Sequence, residues 1–190
     1  MLASEYIDCE ISVIRSKRKS VSIEIKEGKL IVRAPLRMKD KEIDKFLELK
    51  KNWIEKHLIA SAGRQKEIEN LGKYTTEELK SFVSEAKRII PERVKYYADK
   101  IGVDYNNITI RKQHKRWGSC SSQGNLNFNC LLVLMPEEVL DSVVVHELCH
   151  RKHMNHSQKF YAEVEKAFPE YKKWHKWLKE NGELYLARLP

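Results

Sequence analysis

His146-Glu147-Leu148-Cys149-His150, followed after five residues by His156, is the stretch of this chain best equipped for chemistry. It reads H-E-x-x-H-x5-H. Two histidines at i and i+4 on a helix share one face, so a single metal ion can take an imidazole from each. The glutamate beside the first is then placed to take a proton from a metal-bound water. The pattern predicts a metal-dependent hydrolase with one zinc ion per chain, held by His146, His150 and His156, with Glu147 as the catalytic base. Four of the seven histidines fall between positions 146 and 156. Val139, Leu140, Val143, Val144 and Leu148 give the surrounding helix an apolar stripe that would bury it. Polar groups on a buried helix are costly unless something pairs with them, and a metal resolves that cost.

The third ligand needs an argument. His153 lies on the same face as His146 but roughly 10 Å along the axis at 1.5 Å per residue. Ligand nitrogens sit only about 2 Å from zinc, so three such positions on one straight helix cannot share an ion. His156 can return to the site if the helix ends just after His150, with Asn155 suited to a left-handed exit and Ser157 to capping the next helix. Glu163 and Glu165 are the fallback ligands. Cys149 points about 100° away from His150 and reads as a small core residue. The metzincin pattern has a glycine where this chain has His153, so that pattern is broken.

The elements that must carry these residues can be read from periodicity. Residues 6–14 and 20–26 alternate as strands around the basic run Arg15-Ser16-Lys17-Arg18-Lys19, and Lys29 to Ala34 is a third strand between Gly28 and Pro35. Residues 39–60 change to a helical period. Residues 61–74 carry two glycines and weak periodicity and read as a connection. Thr75 and Glu78 form a capping box for a helix to about residue 101, which Pro91 should kink or break. Strands follow at 107–112 and 125–134, separated by a turn-rich segment at 116–122. The histidine-bearing helix is expected over about 136–153, with Pro136 in its first turn. A second helix follows His156, and a last one near 170–181 stops at Gly182.

The chain has 190 residues, 42% of them hydrophobic, enough for one ordinary domain or two small ones and incompatible with a disordered chain. No apolar stretch is long enough to span a bilayer, so no membrane contact is expected. The N-terminus meets Glu5 and Asp8 early and does not read as a signal peptide, so a cytoplasmic protein is expected. Cys9, Cys120, Cys130 and Cys149 form no C-x-x-C pair, and free thiols in a reducing compartment fit best. The net charge of +9 permits a nucleotide or nucleic-acid partner, though no nucleic-acid-binding motif accompanies it.

The ordered set R-W-G-S-C-S-S (116–122), N-L-N-F-N (125–129), V-V-V-H-E-L-C-H (143–150) and N-H-S (155–157) resembles the YgjP-like metallopeptidase family, related to the WLM and SprT-type proteases. The resemblance extends upstream to the strand ending in R-A-P and the helix with Trp53, and downstream through Phe160 to P-E-Y at 169–171. It implies an α+β fold: a zincin-like catalytic half (72–190) whose active-site helix lies against a small antiparallel or mixed sheet, preceded by a β-meander and helix (1–62). It also implies a peptide or protein substrate. Tyr161, Arg116 and Trp117 are candidates for an oxyanion donor or substrate contact, each weighed against a packing role. The strand at 125–130 is a candidate edge for pairing an extended peptide, with Asn125, Asn127 and Asn129 facing solvent or the groove. The family commonly has Trp-Arg where this chain has Cys130-Leu131, a change expected to bear on the substrate groove. Two alternatives stay open: a metal-dependent nucleoside-triphosphate pyrophosphatase, which the resemblance also brings into view, and a nucleic-acid-associated binding protein with a structural zinc.

Overall fold

The structure is a computed structural model that describes residues 9–26 and 28–190. The chain divides into two compact units, one ending at Leu71 and one running Gly72–Pro190.

In the first unit, β1 (Ile11–Ser16), β2 (Ser22–Lys26) and β3 (Lys29–Pro35) form one sheet, followed by α1 (Asp40–Leu49) and α2 (Lys51–Leu71). The strand order is β1-β3-β2, with β1 parallel to β3 and β2 antiparallel to it. The expected meander, in which neighbours in sequence pair in order, is therefore corrected. The reason lies in β3: Leu30, Val32 and Ala34 alternate on one face and are fully buried, so this strand takes the centre. Residues 6–8 of the expected first strand lie outside the described residues. The expected connection at 61–74 is also corrected, because α2 continues to Leu71. Its only buried residue is Ile54, so it has almost no apolar stripe to reveal it in sequence.

The second unit carries α3 (Thr76–Ile101), β4 (Ile108–Arg111), β5 (Gly118–Cys120) and β6 (Leu126–Asn129). A 3-10 turn at Cys130–Leu134 leads to α4 (Glu137–Cys149), α5 (Gln158–Ala167) and α6 (Tyr171–Ala187). The architecture is α+β. The sheet order is β4-β6-β5, with β4 parallel and β5 antiparallel to β6. The capping box of α3 forms as expected: Glu78 N–H donates to Thr75 Oγ1 at 3.2 Å and Thr75 N–H to Glu78 Oε2 at 2.7 Å. Pro91 does not break α3, which runs unbroken to Gly102. The strand expected at 125–134 ends at Asn129, and the turn-rich 116–122 segment contains β5.

The helix α4 is the centre of this unit, packing against α3, α5, α6 and β5. Ten of its thirteen residues are buried. A polar clamp fixes it to α3. Arg93 donates from Nε to Asp141 Oδ1 at 2.7 Å and from its second terminal nitrogen to Oδ2, while Tyr97 Oη donates to Oδ2 at 2.9 Å. Arg93 also pairs with Glu137 at 2.9 Å. Asp141 is nearly inaccessible, so its charge is held by three directed donors rather than by water. No helix among the described residues is long and apolar enough to cross a membrane.

Candidate metal centre

The helix α4 ends at Cys149, with His150 as its cap, four residues short of the expected end. Ser157 Oγ then accepts from Phe160 N–H and starts α5. This early exit lets His156 fold back. His146, His150 and His156 each offer a ring nitrogen, all within 4.8 Å of one another. The Nε2 atoms of His146 and His156 face each other at 3.0 Å. Tetrahedral zinc with Zn–N bonds of about 2.0–2.1 Å places its ligand nitrogens roughly 3.3 Å apart. The cluster is thus close to the size of the ion, and three neutral imidazoles are a donor set that zinc accepts.

The other ring nitrogens are engaged. His150 Nδ1 lies 3.0 Å from the carbonyl oxygen of His153. His146 Nδ1 lies 2.8 Å from Tyr171 Oη, which in turn lies 3.3 Å from His175 Nδ1. Phe160, fully buried, stacks on His150 with ring centroids 4.6 Å apart and closes the floor. Burial, and then the neighbouring His150, His156 and His175, pull the metal-free His146 down to about 3. Burial likewise lowers His150 and His175. His146 and His150 are therefore neutral imidazoles at neutral pH, each with one ring nitrogen bare, as a cation site requires.

Glu147 is 6% exposed. Burial pushes its carboxyl up to about 8 in the metal-free chain. Its side chain lies flat on the backbone of β5. A Cβ placed on Gly118 would stand 2.6 Å from Glu147 Oε1 and 2.7 Å from Cγ. Gly118 is thus part of the site, and sequence reasoning had not singled it out. The cavity over the three histidines and Glu147 measures about 280 Å³ and is also lined by Arg116, Ser119 and Met154.

Arg116 lines the cavity over the three histidines. Trp117 packs on α6, where a Cβ on Gly182 would meet its ring at 3.0 Å, and it also lines a cavity of about 210 Å³ with Arg116, His146, Glu147 and His175. Gly182 is therefore a buried packing residue inside α6 and not the expected stop, which corrects the end expected near 181. Tyr161 lines a separate, larger cavity of about 720 Å³ with His175 and Lys179. The fallback ligands are engaged elsewhere: Glu163 accepts from Lys152 at 2.7 Å and Glu165 from Lys172 at 3.0 Å. Cys149 is fully buried, as expected of a core residue.

Three expectations about the groove are corrected. The strand β6 is paired on both sides, so it offers no edge, and β5 is the edge strand beside Glu147. Asn129 is fully buried. It donates to the carbonyls of Gln113 and Arg116 and accepts from Leu131 N–H, which fixes the loop entering β5. Cys130 and Leu131 are also fully buried and line no groove. His175 and Tyr171 are additional residues of the centre. Their only sequence signal is a histidine one turn after a tyrosine.

A family model described as YgjP-like, metallopeptidase domain, matches residues 19–81 and 73–181. Among solved structures, the chain is similar to the metallopeptidase zymogen abylysin of Pyrococcus abyssi, with 24% identity over 48% of this chain and 94% of that one and a TM-score of 0.44. It is also similar to the metallopeptidase zymogen jannalysin of Methanocaldococcus jannaschii, with 25% identity over 48% of this chain and 95% of that one and a TM-score of 0.44. A search among curated proteins found no match.

Proposed function

The chain belongs to the YgjP-like metallopeptidase family, and from that premise we propose that it is a zinc-dependent peptidase whose ion is held by His146, His150 and His156. The observation that carries this reading is the convergence of three histidine nitrogens within 4.8 Å, with the buried Glu147 beside them. When bound, zinc supplies Lewis acidity toward the scissile carbonyl and toward water.

The chain's own residues do the rest. Glu147 takes a proton from the attacking water as that oxygen bonds to the carbonyl carbon. It then passes the proton to the leaving nitrogen as the C–N bond breaks. A nearby cation favours the ionised carboxylate that this role needs, opposing the upward push of burial. Gly118 lets the carboxylate lie against β5, and the unpaired outer edge of β5 offers main-chain groups to an extended substrate. Arg116, on the rim of the metal cavity, is the candidate placed to meet substrate oxygen. Trp117 packs against Gly182 and borders His146 and Glu147 from a second cavity, and Tyr161 lines the neighbouring one.

The deciding experiment measures metal content by elemental mass spectrometry on wild type beside His156→Ala, then tests both on peptides and nucleoside triphosphates. About one zinc per chain, largely lost in the variant, with peptide cleavage abolished by Glu147→Gln, is expected. Full zinc in His156→Ala overturns the ligand set. Triphosphate hydrolysis that requires Glu147, without peptide cleavage, replaces the peptidase by a pyrophosphatase. Nucleic-acid binding that survives Glu147→Gln, without hydrolysis, leaves the zinc a structural role.

A further inference from the structure

The two ring nitrogens of His146 face different partners. Nε2 faces His156 Nε2 at 3.0 Å, and Nδ1 faces Tyr171 Oη at 2.8 Å. Tyr171 is 2% exposed, and its oxygen lies 3.3 Å from His175 Nδ1. Tyr171 and His175 sit one turn apart on α6, with stacked rings 5.0 Å apart. The His146 and His175 rings are nearly parallel, at 5°.

A phenol has one hydrogen, and with Tyr171 buried and that hydrogen used within this three-atom chain, the chain runs in one of two directions. If His175 donates to Tyr171 and Tyr171 to His146, the proton of a neutral His146 falls on Nε2 and blocks it as a ligand. If His146 Nδ1–H donates to Tyr171 and Tyr171 donates to His175, Nε2 is left as a lone pair. Only the second direction suits a metal ligand, and in it His175 is the terminal acceptor.

We propose that Tyr171 and His175 are positioning residues that hold His146 in its metal-ligating tautomer, by a relay from His146 Nδ1 through the Tyr171 hydroxyl to His175 Nδ1. This rests on the three-histidine reading above. His150 gets the same service from the backbone carbonyl of His153, which no substitution can delete. His146 depends on two side chains from α6. Partners behind a metal histidine fix its ring and tautomer and are commonly worth 10–100-fold in metal affinity.

The test is zinc affinity, read by competition with a chromophoric chelator. The set is wild type, Tyr171→Phe, His175→Ala and the double variant. Tyr171→Phe is expected to weaken zinc binding by about 10–100-fold. His175→Ala should weaken it less, because the hydroxyl remains to accept from His146. The double variant should match Tyr171→Phe, since His175 acts only through the tyrosine. In nitrogen-15 spectra of zinc-loaded wild type, His175 should carry its proton on Nε2. Tyr171→Phe with wild-type affinity, losses that multiply in the double variant, or a proton on His175 Nδ1 each overturns the relay. The spectrum needs no variant to fold. A wild type that takes up no zinc overturns the three-histidine reading itself, whereas zinc-binding wild type beside an unaffected Tyr171→Phe overturns the relay alone.

Discussion

Replacing Gly118 with alanine tests whether the position of Glu147 limits catalysis. Gly118 is not among the glycines with positive φ, so alanine brings no backbone strain. What it brings is a methyl group 2.6 Å from Glu147 Oε1, 2.7 Å from Cγ and 2.9 Å from Cδ. Comfortable contact begins near ~3.5 Å, so the glutamate must retreat by roughly 0.8–1 Å. A misplacement of about 1 Å at a reacting group costs on the order of 100-fold in rate. That equals about 2.7 kcal/mol of transition-state stabilisation at 1.36 kcal/mol per tenfold. The three atoms nearest the methyl all belong to Glu147, so zinc content should stay near one per chain. The assay is steady-state cleavage of a peptide that the wild type cuts, with zinc content and a denaturant midpoint measured on the same samples. The expected result is kcat reduced by about 100-fold with KM little changed, and stability lowered by about 1–3 kcal/mol from overpacking. Wild-type kcat in a folded, zinc-replete Gly118→Ala would refute the reasoning, because it would show that the carboxylate does not act from where it lies.

Three further outcomes follow from the packing around α4. Asp141→Ala strips the acceptor from Arg93 and Tyr97, and urea unfolding should show a loss of about 3 kcal/mol, the low end for a broken buried pair because Arg93 keeps Glu137; an unchanged midpoint would deny the clamp its role. Gly182→Ala sets a methyl 3.0 Å from the Trp117 ring and 3.2 Å from Leu178, and overpacking of about 1–3 kcal/mol should outweigh the roughly 1 kcal/mol gained in helix propensity. A more stable variant in thermal melts would contradict that. For the metal-free protein, Glu147 is raised from 4.5 to about 8, so its contribution is full below pH 4.5 and is lost as pH rises through 8. His146 is lowered from 6.5 to about 3, so its contribution is full above pH 6.5 and is lost as pH falls toward 3. Chelator-treated protein should therefore owe to this pair a stability maximum between pH 4.5 and 6.5, and Glu147→Gln should remove the alkaline decline. A decline of the same size in that variant would assign it to other groups.

The three-histidine cluster is legible in the sequence because its spacing is local. The i, i+4 spacing belongs to one helix, and His156 returns through a short turn that Ser157 closes by capping α5. The side-chain partner of His146 and the clamp that fixes α4 are not legible, because they join residues far apart along the chain. Tyr171 lies 25 positions from His146, and Asp141 lies 48 positions from Arg93. The strand β5, of three residues, is too short for alternation to show, and the glycine that starts it reads locally as a turn. That missed strand also misled the choice of substrate edge, since β6 is an edge only if β5 does not exist.

Two glycines carry the deeper lesson. Gly118 lies in a segment that reads as turn-rich and Gly182 reads as a helix stop, the usual meaning of glycine in a polar stretch. Both instead lie inside regular elements, without positive φ, and both mark places where another group occupies the space of a side chain. At Gly118 that group is the Glu147 carboxylate, and at Gly182 it is the Trp117 ring. Trp117 and Gly118 are adjacent, so one dipeptide meets α6 through its tryptophan and α4 through its glycine. Since α6 carries Tyr171 and His175 while α4 carries His146 and Glu147, the short segment entering β5 touches both helices that build the centre. The R-W-G-S-C run is thus explained by close approach: the ring needs the missing side chain at 182, and the carboxylate needs the missing one at 118.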